Sequence, residues 1–418
     1  MIKPMPILLR GAVAALLIGS APVLAQADDT VTEAEVVGSQ PPSPATISMR
    51  WQLLNPEVNA FTFRNTQEVF AFRMVTAPDE ARAIPRGGEM VLPQATLAGQ
   101  PVSYDEWAEG TFTNALLVLR DGKIVFESYR NRLDGATPHI GFSMTKTITA
   151  MLIGQALDRG EIASLDDPVS RYVPALADGA YGKASLRDVL EMRSGAAIEE
   201  RYDFGENPSL AARIHETAII RNEARFADFA VGIGQRSEPG SQFNYATLDT
   251  AVLGWVLEEA TGRTIEDLME ERIWQPLGAE AGGHFLADGP VGEGRALNGM
   301  GFNAVLRDWG RLGQMLLDEG KVGNEQLLPA GWVTQMSTMK PTGMPEGAGF
   351  PGYGFQTWQV DNEPGAYAAV GLAGQFVYIH PETHTVIVKL SYYPPVAPEG
   401  VDADVLSYFA AIAKEPLP

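Results

Sequence analysis

Strand signals at both ends of this chain bracket a long helical middle, and that arrangement constrains the fold most. Residues 116–120 (LLVLR) and 123–127 (KIVFE) flank Asp121-Gly122, a pair that closes β-hairpins. Strand signals return at 375–379 and at 385–391 (TVIVKLS), across the turn Pro381-Glu382-Thr383-His384. Apolar periodicity predicts helices over 143–158, 186–192, 248–261, 265–273 and 303–319, with a last helix over 403–414. Hairpins at opposite ends can pair into one antiparallel sheet. The middle then forms a mostly helical lobe beside it. The predicted class is α+β, as one discontinuous unit and not two beads on a linker.

The N-terminus carries a signal of its own. Lys3 and Arg10 precede an apolar stretch over 11–24, and Ala25-Gln26-Ala27 ends it as an A-x-A cleavage site. Residues 1–27 are predicted to be a secretory signal peptide. That places the mature protein across the inner membrane, in the periplasm of a double-membraned bacterium. Residues 28–50, with Pro41, Pro42 and Pro44, read as a flexible leader, and 51–418 as a single domain.

Charge narrows the partners. The chain carries 31 Lys+Arg against 52 Asp+Glu, a net charge of -21. A nucleic-acid binder needs a basic footprint, so that class is excluded. No stable membrane insertion is expected once the signal is removed. Cys 0 removes disulfides, thiolate metal sites and a cysteine nucleophile.

Ser143-Met144-Thr145-Lys146 carries the chemistry. Residues three apart on a helix share a face, so Lys146 can reach the Ser143 hydroxyl. A serine is a poor nucleophile until a base takes its proton. A lysine becomes that base if burial and a helix N-terminus lower its pKa. The Ser143 backbone N–H, at the same helix end, can help hold an oxyanion. A second match, Ser337-Thr338-Met339-Lys340, runs into Pro341-Thr342-Gly343 with no buried helix after it, and is rejected. Glu238-Pro239-Gly240-Ser241 leads a short extended segment into a helix, which can present Tyr245 to a cleft beside a lysine as a proton shuttle.

Ser143-x-x-Lys146, Tyr245-Ala246-Thr247 and Gly371-Leu372-Ala373-Gly374-Gln375 together resemble the three motifs of the penicillin-recognising serine hydrolases. Met192-Arg193-Ser194-Gly195, Leu253-Gly254-Trp255, Trp274-Gln275-Pro276-Leu277-Gly278 and Asp308-Trp309-Gly310-Arg311 are similar to the 6-aminohexanoate-dimer hydrolase and carboxylesterase branch. The resemblance covers roughly residues 50–415 and implies a β-lactamase/transpeptidase-like fold. It implies Ser143 as nucleophile, Lys146 and Tyr245 as an acid–base pair, and the N–H groups of Ser143 and Gln375 as the oxyanion hole. Thr247, Gly374 and Tyr202 fall on the substrate side, Tyr202 toward the leaving group.

Two departures matter. Thr247 stands where the family has Asn or Ser, and keeps a hydroxyl for Lys146 or substrate. Leu372-Ala373-Gly374 lacks the cation that grips a substrate carboxylate. The expected activity is hydrolysis of a small ester or amide through an acyl-serine. The competing readings are a β-lactamase or DD-peptidase, and a non-catalytic binding protein on the same fold.

No metal site, nucleotide loop or cofactor is expected. The histidines show no zinc-binding helical pair. His139 sits at a strand end and Lys146 already fills the role of base. His380 and His384 flank a turn and are expected to be solvated.

Overall fold

The computed structural model describes residues 42–345, 349–360 and 363–417. The segment expected to be a signal peptide, residues 1–27, and the first part of the expected leader lie outside the described residues. An eight-stranded antiparallel sheet forms the centre. In spatial order its strands are Lys340–Pro341, Gly352–Tyr353, Trp358–Gln359, Tyr367–Gly371, Gln375–His380, Thr385–Ser391, Thr113–Arg120 and Lys123–Tyr129. The two chain ends therefore meet where Thr385–Ser391 pairs with Thr113–Arg120, Ile387 opposite Val118.

Alternation explains why the run 116–119 is apolar throughout. Leu117 and Leu119 point into the main core, and Leu116 and Val118 point to the opposite face. That second face is covered by the helix Val401–Lys414 and by Trp107, whose ring lies 4.6 Å from Tyr408. A strand buried on both faces needs apolar side chains on both. Each fully buried leucine or valine contributes roughly 1.5–3 kcal/mol.

The helix Leu306–Leu317 lies on the inner face at unusually close range. A Cβ on Gly310 would stand 2.6 Å from Leu117, and one on Gly313 2.6 Å from Val386. Only glycine permits this approach. A second, four-stranded sheet pairs Phe72–Val75, Gly283–Leu286, Phe302–Ala304 and His139–Ile140. Its strand His139–Ile140 leads directly into the turn that carries Ser143.

Three expectations need correction. Pro44–Arg50 is a helix, not flexible leader: the Ser43 side chain accepts from Thr46 N, and Pro44 occupies the first helical position. Arg50 is buried and donates to Val69 O, Ile220 O and Asn222 Oδ1. The segment 303–319 is not one helix. Phe302–Ala304 is a strand, and the helix starts at Leu306. His380 is buried, with the Thr383 hydroxyl 2.9 Å from Nδ1, because the turn folds back over it.

Candidate active site

Ser143 sits in a 3-10 turn, Phe142–Met144, that opens the helix Thr145–Asp158. Every residue from Thr145 to Ala156 is buried, Lys146, three threonines and Gln155 among them, so this helix is enclosed around its whole circumference and runs through the core. The turn is tightly held. Phe142 has a left-handed φ of 44° and packs edge-on against Phe63, 5.0 Å away. A bulky residue in that region is strained, and the surrounding packing holds it there. A Cβ on Gly141 would stand 2.3 Å from the Trp309 ring. Ser143 itself is half-buried, and its neighbours in sequence are fully buried.

Lys146 is 1% exposed. Its Nζ lies 2.9 Å from Ser143 Oγ, 2.9 Å from Thr247 Oγ1 and 2.7 Å from Gly299 O. Burial drives its pKa down to about 8, while Glu200 and Asp249 pull it up. The Tyr245 ring lies under the amine, with Nζ 5.0 Å from its centroid. Burial pushes the Tyr245 phenol above its ordinary range, with the Ser143 hydroxyl opposing. The ring is also walled by Trp358 at 5.3 Å and Tyr353 at 6.1 Å.

The third segment reaches the site through a close backbone approach. A Cβ on Gly371 would stand 2.2 Å from Gly141 O, so the strand end rests on the turn that carries Ser143. The turn Leu372–Gly374 has positive φ at Ala373 and Gly374. The Gln375 side chain points inward. Its Nε2 donates to Ser391 O at 2.8 Å and its Oε1 accepts from Ser391 N at 2.9 Å. Gln375 thus clamps its own strand to Thr385–Ser391. Gly374 packs on the Tyr393 ring. Leu372 is 53% exposed and presents an apolar tip.

Two partners of the site escaped the sequence reading. Gly299 contributes only a backbone carbonyl, and no side-chain pattern marks that. Glu200 accepts from Thr247 N at 2.8 Å, from Thr247 Oγ1 at 2.6 Å and from the Tyr202 hydroxyl at 2.5 Å. Tyr202 is therefore tied to the site through Glu200, and its ring stands among Phe204 and His215. The neighbouring charge, Asp249, is buried with Tyr181 and Ser194 donating to it, and burial raises its pKa to about 7.

The remaining candidates lie elsewhere. His139 is fully buried, its Nε2 3.2 Å from Asn114, and burial lowers its pKa to about 4. Ser337 donates to Val333 O, and Lys340 pairs with Glu191 at 2.6 Å, so those two form no dyad.

A serine beside a buried lysine, in an α+β fold with a sheet strand laid along the turn that carries the serine, is the arrangement of a β-lactamase-fold serine hydrolase. The chain belongs to the beta-lactamase family, which matches residues 107–410. It is 29% identical over 351 residues to a 6-aminohexanoate-dimer hydrolase of Paenarthrobacter ureafaciens, covering 80% of this chain and 86% of that protein. It is 23% identical to a putative D-alanyl-D-alanine carboxypeptidase of Escherichia coli, over 66% of this chain and 74% of the relative. Among solved structures, a putative 6-aminohexanoate-dimer hydrolase from Bacillus anthracis superimposes with a TM-score of 0.75 at 23% identity, over 86% of this chain and 95% of the other.

Proposed function

We propose that this protein hydrolyses a small ester or amide through an acyl intermediate on Ser143. The observation that carries the reading is the buried Lys146 amine 2.9 Å from a half-buried serine hydroxyl. Neutral Lys146 takes the Ser143 proton as Oγ bonds to the carbonyl carbon. The carbonyl π pair moves onto oxygen, held by the N–H groups of Ser143 and Gln375. The bond to the leaving group then breaks, and the leaving group takes a proton relayed by the Tyr245 phenol from Lys146. Water, deprotonated by the same pair, releases the acid and restores Ser143. Tyr245 serves as a neutral phenol, because its raised pKa disfavours a resting phenolate.

Similarity to a 6-aminohexanoate-dimer hydrolase supports including amides in the substrate class. The exposed, uncharged Leu372 supports substrates with no carboxylate to grip at that turn. A panel of p-nitrophenyl esters, ω-amino amides and nitrocefin tests this. Ester or amide turnover with slow nitrocefin hydrolysis is expected. Efficient nitrocefin turnover without the others would replace this reading by a β-lactamase.

The pH profile is expected to follow Lys146. Only the neutral amine accepts a proton, so kcat/KM should rise as pH climbs toward about 8 and level above it. A flat profile through that range would remove Lys146 as the base. We also propose export to the periplasm, from the pattern over residues 1–27. N-terminal sequencing of the expressed protein should begin at Asp28, and an intact Met1 would contradict it.

A further inference from the structure

The Lys146 amine has three oxygen neighbours, and their hydrogen-bonding capacities are unequal. Gly299 O can only accept. Thr247 Oγ1 could accept or donate. A neutral amine has two hydrogens and one lone pair. If the Thr247 hydrogen pointed at that lone pair, the lone pair would be lost to Ser143.

Glu200 decides the matter. A carboxylate accepts only, and its Oε1 lies 2.6 Å from Thr247 Oγ1, so it takes the threonine hydrogen. Thr247 Oγ1 is then left to accept from Lys146. The neutral amine gives its two hydrogens to Thr247 and Gly299, and its lone pair faces Ser143 Oγ. After proton transfer the ammonium has three hydrogens for the same three oxygens, so nothing need move.

Glu200 is held for this task. Its Oε2 accepts from Thr247 N, the first residue of the helix Thr247–Thr261. The N-cap residue of that helix, Ala246, makes no side-chain cap. Glu200 therefore caps it from a distant loop, and the Tyr202 hydroxyl fixes its other oxygen.

We propose that Glu200 is the positioning residue of the base: by holding the Thr247 hydrogen it leaves Ser143 as the one partner for the lone pair of Lys146. The proposal rests on the serine-hydrolase reading above.

The test uses the full chain and compares wild type with Glu200→Gln, Thr247→Val and the double variant. Glutamine offers one acceptor oxygen for three donors, and its amide can donate to Thr247. Acylation by p-nitrophenyl butyrate and by a fluorophosphonate is read across pH. Glu200→Gln is expected to lower the plateau of kcat about tenfold, with KM nearly unchanged. Its acid limb should move to lower pH, because Glu200 favours the Lys146 ammonium. The ionisable groups facing Lys146 are Tyr245, Asp249 and Glu200, and the substitution leaves the first two in place. In the Thr247→Val background the rate loss from Glu200→Gln should vanish.

Full multiplicativity of the two rate losses with an unmoved acid limb would overturn the proposal and leave Glu200 as a helix cap. If Glu200→Gln loses its near-ultraviolet circular dichroism, Glu200→Asp carries the test. It keeps the charge and shortens the reach, so the plateau should fall while the acid limb stays. Wild-type rates in Glu200→Asp would overturn the proposal. A wild type that neither turns over nor labels at Ser143 would instead sink the hydrolase reading beneath it.

Discussion

Ser143→Ala is expected to lower kcat/KM for p-nitrophenyl butyrate by about 10⁴-fold or more. Alanine has no oxygen to acylate, so only direct attack by water on the bound ester remains. The proposed oxyanion donors are backbone groups, so the substitution leaves them in place and they should sustain a small residual rate. Stability should change little, within about 1 kcal/mol, since Ser143 is half-buried and its removal costs one hydrogen bond to Lys146. Steady-state kinetics beside a thermal melt separate the two effects. A Ser143→Ala protein that keeps a tenth of the wild-type rate would place the nucleophile elsewhere.

Lys146→Met should lower kcat/KM by about 10³-fold, with KM almost untouched. Methionine fills much of the same volume without the amine. It leaves Gly299 O without its donor, a loss of about 1–3 kcal/mol for a buried acceptor. Thr247 is better placed, because Glu200 still takes its hydrogen. The residual activity should also lose the rise toward pH 8 that Lys146 confers. A variant that kept both the rate and the rise would show that another group, with Tyr245 the nearest, removes the serine proton.

The parts of this site that were legible in the sequence are the local ones. Ser143 and Lys146 lie one turn apart, so helical geometry alone brings them together. The chain-end sheet was legible because two hairpins announce themselves by alternation and turn chemistry. Thr247 could be read as keeping a hydroxyl for Lys146, and that contact is present at 2.9 Å.

The rest depends on long-range placement. Glu200 reaches Thr247 across 47 residues, from a charged loop whose pattern differs in no way from an ordinary solvated one. Gly299 acts through its carbonyl, and any residue type would supply one. The strand Phe302–Ala304 is only three residues long, too short for its alternation to stand apart from the helix that follows. The helix Pro44–Arg50 had a readable signal in Ser43-Pro44, but the prolines around it pointed equally to an extended leader. His380 lies beside a turn, which predicts exposure, and it is buried because the turn packs back over its own ring.

The electrostatics are consistent with the site's composition. Lys146 stands among two carboxylates, Glu200 and Asp249, yet burial outweighs both and lowers its pKa. Burial also raises Asp249 to about 7. Two ionisable groups are thus moved toward neutrality by the same dry lobe, which is the arrangement expected where proton transfer is the chemistry.

The most direct test is peptide mapping by mass spectrometry after treatment with a fluorophosphonate, on wild type and on Ser143→Ala. The account predicts one phosphonyl adduct, carried by the peptide containing Ser143, formed in step with loss of esterase activity and missing from the variant. An adduct on another residue, or full esterase activity with Ser143 unlabelled, would contradict it.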